Sequence, residues 1–514
     1  MAVRPSPTIY EINTATWLHR LGRGLGRPVG LGDVPVSEWD ALARLPVDAV
    51  WLMGVWQRSP IGRAIATGMP QLLAGYRAAL PDLHEDDVLG SPYCVRDYVA
   101  DEHFGGPDGL AAAREQLAHR GLALILDYVP NHIAADHPWV TDRPECLLAG
   151  SEHELVLHPE AFMSISGGVF AKGRDPYFDP WQDVLQLNAF SPSLREAAVE
   201  TVVAIGDQCD GVRCDMAMLM TNEIFARTWG ERAGPVPEAE YWPTLIDRCR
   251  QVHSDLLFMA EVYWDLEWTL QMQGFDLCYD KRLYDRLVHD SPESLRHHLG
   301  ADAAYQQRLV RFIENHDEPR AVIALGSAKS RAAAVVMSTL QGARLYHDGQ
   351  LEGFRTHVPI QLGRGPDESP DRELRAFYAR LVPAVAGAQP GCPDWRLCDC
   401  MPGSDDTHHG LLAWCWSSPD ARHLVVVNLS PAHATGRIRL EWCDLAGRNW
   451  ILVDTLSGER FACSGAELAR EGFPVALGAW GSSFMAVRVA DEARNELGRA
   501  LPVIDPAAPW VPIS

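Results

Sequence analysis

The segment GVRCDMAMLM, residues 211–220, sets two charged residues, Arg213 and Asp215, in an otherwise apolar run. Burying such groups costs several kcal/mol each unless they are paired, hydrogen-bonded or put to use. In a strand, residues two apart point the same way, so both charges share one face. A strand apolar on both sides except at its C-terminal end belongs in a parallel sheet covered by helices.

Seven further segments read as strands, and most are apolar on both faces. They are PTIYEI near residue 10, VDAVWLMGV (47–55), LALILDYV (122–129), LLFMAEVY (256–263), FDLCYD (275–280), RLVRFIEN (308–315) and GARLYHDG (342–349). Helical patterns fill the gaps: GPDGLAAAREQLAHRG, SLREAAVETVVAIGDQC, WPTLIDRCRQVHS, SAKSRAAAVVMSTL and DRELRAFYARLV. Strands alternating with helices in eight units predict an α/β fold, a (β/α)8 TIM barrel, with a doubly wound open sheet as the alternative.

The stretch from His132 to about Leu187 is too long for one helix and is rich in Gly, Pro and aromatic residues. An insertion after the third strand sits at the C-terminal mouth of a barrel. Beyond about residue 388 the segments LLAWCWSS, HLVVVNLS, GRIRLEW, NWILVDTL and SSFMAVRV read as short strands without helical period, a C-terminal antiparallel β-sandwich. The expected organisation is a catalytic barrel over 1–132 and 188–387, a loop-rich inserted domain over 133–187, the sandwich over 388–490 and a Pro-rich tail over 491–514.

The chain of 514 residues carries 45 basic and 68 acidic residues, a net charge of −23. That balance, without a Lys/Arg block, argues against nucleic acid or an anionic membrane as partner. The N-terminal stretch lacks the apolar core of a signal peptide, and no apolar run reaches the ~18 residues of a membrane span. Twelve scattered cysteines suit free thiols in a reducing cytoplasm. Cys392, Cys398 and Cys400 lack paired Cys-x2-Cys knuckles and read as loop cysteines rather than a zinc site. RLGRGLG has neither the spacing nor the strand-to-helix setting of a phosphate loop.

Four strands end in polar residues, where a barrel places its active site. These are Asp127, Asn131 and His132 from LILDYVPNH; Arg213 and Asp215; Glu261; and Asn315, His316 and Asp317 from FIENHDEPR. Singly, each is ordinary: an Asp at a strand end caps the next helix, and a lone His is a core residue. Together, three carboxylates and an arginine suit glycoside chemistry, in which one carboxylate attacks and a second carboxyl donates and then accepts a proton. Arg213 beside Asp215 is expected to hold it ionised, and the apolar neighbours of Glu261 to raise its pKa.

These segments resemble the conserved regions of the α-amylase family, glycoside hydrolase family 13: Asp127-Tyr-Val-Pro-Asn131-His132, Gly-Val-Arg213-Cys-Asp215, Ala-Glu261 and Asn315-His316-Asp317. GSPYCVRDYVADEHFGG and DPWQDVLQLN resemble two further family segments, and the likeness covers roughly residues 7–490. It implies a nucleophile at Asp215, an acid/base at Glu261 and a transition-state stabiliser at Asp317. It further implies that Arg213 orients Asp215, that His132 and His316 bind sugar, that Tyr93 stacks on it and that Asp127 supports the mouth from beneath.

One motif departs from the pattern. The family's Lys-His pair, three and four residues after the nucleophile, is Met218 and Leu219 here, which resembles exo-acting or transferring members that handle short glucosides. Packing of the following helix explains the same two residues equally well. Asn131 matches one family calcium ligand; no cofactor is otherwise expected.

The resulting expectation is a retaining α-glycosidase acting on oligosaccharides or small glucosides. An α-glucosyl transferase or phosphorylase with the same groups is the alternative, and a non-catalytic sugar-binding protein on the same barrel is a third reading.

Overall fold

The computed structural model describes residues 3–4, 6–388, 394–418 and 421–490. The Pro-rich tail over 491–514 and Cys392 lie outside them. Eight parallel strands close into a barrel: β1 Thr8–Asn13, β2 Ala49–Met53, β3 Ala123–Tyr128, β4 Gly211–Cys214, β5 Leu257–Ala260, β6 Leu277–Tyr279, β7 Leu309–Arg311 and β8 Ala343–His347. Each neighbours the next, and β1 pairs with β8, so the open-sheet alternative is excluded. Every residue of these strands is buried, as their two-sided apolar character requires.

Local sequence sets the helices that follow. Asn13 caps Thr14–Leu25 by accepting from the Thr16 N–H at 3.3 Å, and Gly26, at φ 66°, closes that helix in the left-handed region. RLGRGLG lies within this helix and its cap, which leaves it no role as a phosphate loop. Ser191 caps Pro192–Gly206, with Pro192 in the first turn where its missing N–H costs nothing.

The chain between β3 and the helix Pro192–Gly206 forms two small antiparallel pairs. His132–Ala134 pairs with Val184–Gln186 at the stem of the excursion, and Phe162–Ile165 pairs with Gly168–Ala171 across a turn at Ser166 and Gly167. The stem brings His132 and Trp181 over the end of the barrel, with ring centroids 5.0 Å apart.

After the helix Arg372–Ala388, a six-stranded antiparallel sheet faces a three-stranded one. Leu411, Ala413, Leu424 and Val426 of the larger sheet and Ile438, Phe473 and Val475 of the smaller share one apolar core. Two points differ from the sequence expectation. A helix, Gly465–Glu471, interrupts the strands, and Asp394–Cys398, Cys400–Pro402, Arg460–Ser464 and Phe473–Leu477 are additional strands. The helix spans 7 residues, too few for a helical period to stand out among flanking strands. Cys398 is buried and Cys400 half-buried, and every described cysteine is free. No described helix is long and apolar enough to cross a membrane.

Candidate active site

Strand register assembles the charges. Arg213 on β4 sits beside Asp127 on β3 and Met259 on β5, and Cys214 beside Ala260, which brings Asp215 and Glu261 to adjacent strand ends. The Asp215 N–H donates to Tyr128 O at 2.8 Å and the Glu261 N–H to Cys214 O at 3.0 Å, so both backbones are pinned. Cys214 is fully buried, and as the strand neighbour of Arg213 it belongs to the opposite face.

Arg213 is the hub. Its side chain has no exposed surface; Nη1 donates to Asp215 Oδ1 at 2.7 Å and Nη2 to Glu261 Oε2 at 2.7 Å, while Asp127 Oδ1 stands 3.6 Å from Nη1. The rings of Tyr93, Trp51 and Tyr279 surround the guanidinium at 5.1, 5.2 and 5.8 Å. Cation–π attraction and the carboxylates together offset its desolvation. One guanidinium thus bridges two carboxylates, which answers why two charges lie inside an apolar strand.

The chain turns sharply after Asp215. Met216 adopts φ 42°, in the left-handed region that costs a non-glycine residue about 1 kcal/mol or more. The turn aims the Met216 N–H at Glu261 Oε2, 2.7 Å away. Glu261 Oε1 accepts from the Tyr263 hydroxyl at 2.6 Å. Burial and the negative charges of Asp215 and Asp317 nonetheless push Glu261 up to about 7, against the pull of Arg213.

Asp215 departs from the sequence expectation. Burial raises its pKa, and Arg213 only partly counters this. An adjacent cation lowers a carboxyl in water, but at 6% residue exposure desolvation is the larger effect.

Asp317 keeps 39% of its side chain exposed and faces the cavity. Burial pushes it up, but His316 and Arg213 bring it to about 2. The His316 ring is held at both nitrogens: Nδ1 meets Glu11 Oε1 at 2.5 Å, and Nε2 lies 2.7 Å from the Tyr93 hydroxyl and 3.1 Å from Asp317 Oδ2. Burial alone lowers His316, yet Asp317 and Glu11 raise it well above its usual value, so it carries a charge. His132 has no carboxylate beside it, and burial takes it down to about 4. Asp127 lies beneath the mouth, accepting the Gly54 N–H at 3.0 Å.

These groups line a cavity of about 320 Å³ containing Tyr93, His132, Trp181, Asp215, Glu261 and Asp317. Beyond His316 a second cavity of about 340 Å³ opens between the helix Thr14–Leu25 and the loop after β8. Met218 and Leu219 are 0% and 2% exposed and belong to the core. Packing therefore accounts for both, and the residue after Asp215 that reaches the cavity is Met216.

Asn131, the one matched calcium-ligand position, is held in an amide pair: its Oδ1 accepts from Gln186 Nε2 at 2.9 Å, and its Nδ2 stands 3.3 Å from Gln186 Oε1. The pair ties the end of β3 to the stem of the inserted segment. Gln186→Leu leaves the buried Asn131 Oδ1 without the donor it has here and is expected to lower stability by about 1–3 kcal/mol, read from the urea midpoint.

Sequence reasoning passed over Glu11, Tyr263, Trp181 and Gln186. Glu11, 0% exposed in the apolar strand TIYEIN, carried the same signal as Arg213. Tyr263 stands two residues after Glu261, in the position of a residue on the same face.

No family model matches the chain. Among curated relatives, α-amylase MalA of Haloarcula japonica is 26% identical over 390 residues, 73% of this chain and 48% of that protein. Probable oligo-1,6-glucosidase 2 of Bacillus subtilis is 21% identical over 406 residues, 68% of this chain and 66% of that one. The chain thus spans about half the length of the first and just under two thirds of the second. Among solved structures, the noncanonic maltogenic α-amylase AmyB from Thermotoga neapolitana superposes with a TM-score of 0.65 at 17% identity, covering 93% of this chain and 98% of that one. The chain has the fold of solved α-amylases, and its relatives in sequence and structure are enzymes of the α-amylase family.

Proposed function

We propose that this chain is a retaining α-glycosidase acting on α-glucosidic bonds of oligosaccharides or small glucosides. The observation that carries the reading is the Arg213 guanidinium joining Asp215 to Glu261, with Asp317 facing the same cavity. Two carboxyls that share one guanidinium suit double displacement, in which nucleophile and acid/base stand ~5–5.5 Å apart. Asp215 attacks the anomeric carbon as Glu261 gives its proton to the departing glycosidic oxygen. Water then attacks the glycosyl-enzyme, and Glu261 takes that water's proton.

Asp317, ionised and adjacent, stabilises the positive charge that develops on the sugar. A cavity of about 320 Å³ stands at the small end of ligand pockets and favours a short glycoside. Carbohydrate is the proposed partner, and the cytoplasm, with its reducing conditions, the proposed compartment for these free thiols. With Met218 and Leu219 in the core, no feature of the cavity favours transfer or phosphorolysis.

The test is turnover of maltose, isomaltose, trehalose, sucrose and an aryl α-glucoside, with and without phosphate, together with trapping by a 2-fluoro or 5-fluoro glycosyl fluoride and peptide mass spectrometry. A label on Asp215 and product of retained configuration support the reading. Turnover with inverted product, or a label on another residue, overturns it.

The pH dependence follows from Glu261. A general acid must be protonated in the free enzyme, so kcat/KM falls about tenfold per unit above pH 7. The Tyr263 hydroxyl favours ionised Glu261, hence Tyr263→Phe is expected to move this limb upward by about one unit. A pH–rate profile of the two proteins reads the shift; coincident alkaline limbs would show that Glu261 does not set it.

A further inference from the structure

The sequence Asp405-Asp406-Thr407-His408-His409-Gly410 enters the strand Leu411–Ser417 through a short turn, Thr407–Gly410, far along the chain from the catalytic residues. Asp405 fixes the turn, its Oδ1 accepting from the Thr407 N–H at 3.0 Å and from Thr435 Oγ1 at 2.8 Å. Asp406 takes no part in that bracing. Its Oδ1 stands 3.4 Å from His408 Nδ1 and 3.6 Å from His409 Nε2, and the two imidazole rings lie 4.0 Å apart. All three donor atoms fall within 4.8 Å of one another. His408 is 9% exposed, and its buried Nδ1 has no hydrogen-bond partner.

Donors held 2.0–2.2 Å from a tetrahedral cation stand about 3.3–3.6 Å apart. The two donor separations at Asp406 have that length. Two imidazole nitrogens and one carboxylate oxygen form a set suited to zinc and its neighbours rather than to calcium or magnesium, which take oxygen. We propose that Asp406, His408 and His409 bind a zinc-class divalent cation, with water or a further ligand completing the shell. The cation meets the one need the turn leaves unmet, a partner for His408 Nδ1. It clamps the turn against the strand Ala434–Ile438 and the barrel helix Pro292–Leu299, both of which pack on it. Because the site lies outside the catalytic cavity, its effect falls on stability rather than turnover.

The experiment uses the full chain, stripped with chelator and titrated with Zn²⁺ by calorimetry, with Co²⁺ as an optical probe. One saturable equivalent is expected, and a melting temperature that climbs with Zn²⁺ concentration. His409→Ala and Asp406→Asn replace side chains 75% and 85% exposed, so both variants keep the fold. Each is expected to weaken Zn²⁺ about tenfold or more. The Co²⁺ spectrum is expected to show d–d bands without thiolate charge transfer. Absence of saturable binding, binding unchanged in both variants, or a thiolate band from cysteines elsewhere would each overturn the assignment.

Discussion

Asp215→Asn is expected to lower turnover of any α-glucoside substrate by on the order of 10⁴-fold while leaving the protein as stable as the parent or more so. Asparagine keeps the shape of the side chain, and its carbonyl still accepts the Arg213 Nη1–H, but it cannot attack carbon. The stability half follows from sign. Burial raises the folded-state pKa of Asp215 above its unfolded value, so its ionised form costs folding free energy at neutral pH. That cost is absent at low pH and appears as pH rises past the unfolded carboxyl range. A neutral amide removes it, an exchange of activity for stability that catalytic sites commonly show. The substitution also removes one of the charges that raise Glu261, so the proton donor should become more acidic. Steady-state rates and thermal melts on one preparation check both halves. Parent-like turnover would remove Asp215 from the chemistry, and a large fall in melting temperature would show that its charge was needed for folding.

The second large effect concerns Arg213. Arg213→Met keeps the length of the side chain but leaves Asp215 and Glu261 buried at 6% and 3% exposure without their shared cation. Removing one partner of a buried ionic group typically costs about 3–5 kcal/mol, because the remaining charge has no compensation. Denaturation midpoints should fall accordingly, and activity should be lost as both carboxyls are driven toward protonation. The discriminating measurement is a cycle. In an Asp215→Asn, Glu261→Gln background the same Arg213→Met substitution should cost less, since of the three buried carboxylates beside it only Asp127, 3.6 Å away, remains. Equal costs in the two backgrounds would mean that Arg213 stabilises through its aromatic neighbours rather than through charge.

The barrel was legible because its strands are apolar on both faces, and because Asp215, Glu261 and Asp317 fall past strand ends. Arg213, Asp215, Glu261 and Asp317 were visible as charges that the surrounding sequence could not bury without cause. What sequence hid was contact between distant segments. Glu11 meets His316 across 305 positions, and Gln186 meets Asn131 across 55, separations that no local period reports. The rise in the Asp215 pKa was also beyond reach, because neighbour charge can be read from sequence whereas depth of burial cannot. Met218 and Leu219 teach the converse. They stood out against a family pattern, yet a tight turn at Met216 sends them into the core.

The bond between Glu11 and His316 reaches further than the chemistry it adjoins. Strand β1 is made first on the ribosome, and its barrel neighbour β8 lies more than 330 residues later, from Ala343. Until those two strands meet, the ring is open and His316 lacks one of the two carboxylates, Glu11 and Asp317, that raise its pKa. Contacts of such sequence separation form late and slowly in folding. The cleft is therefore finished by ring closure itself: a nascent or partly opened barrel carries Asp215, Glu261 and Asp317 but still lacks the contact between Glu11 and His316.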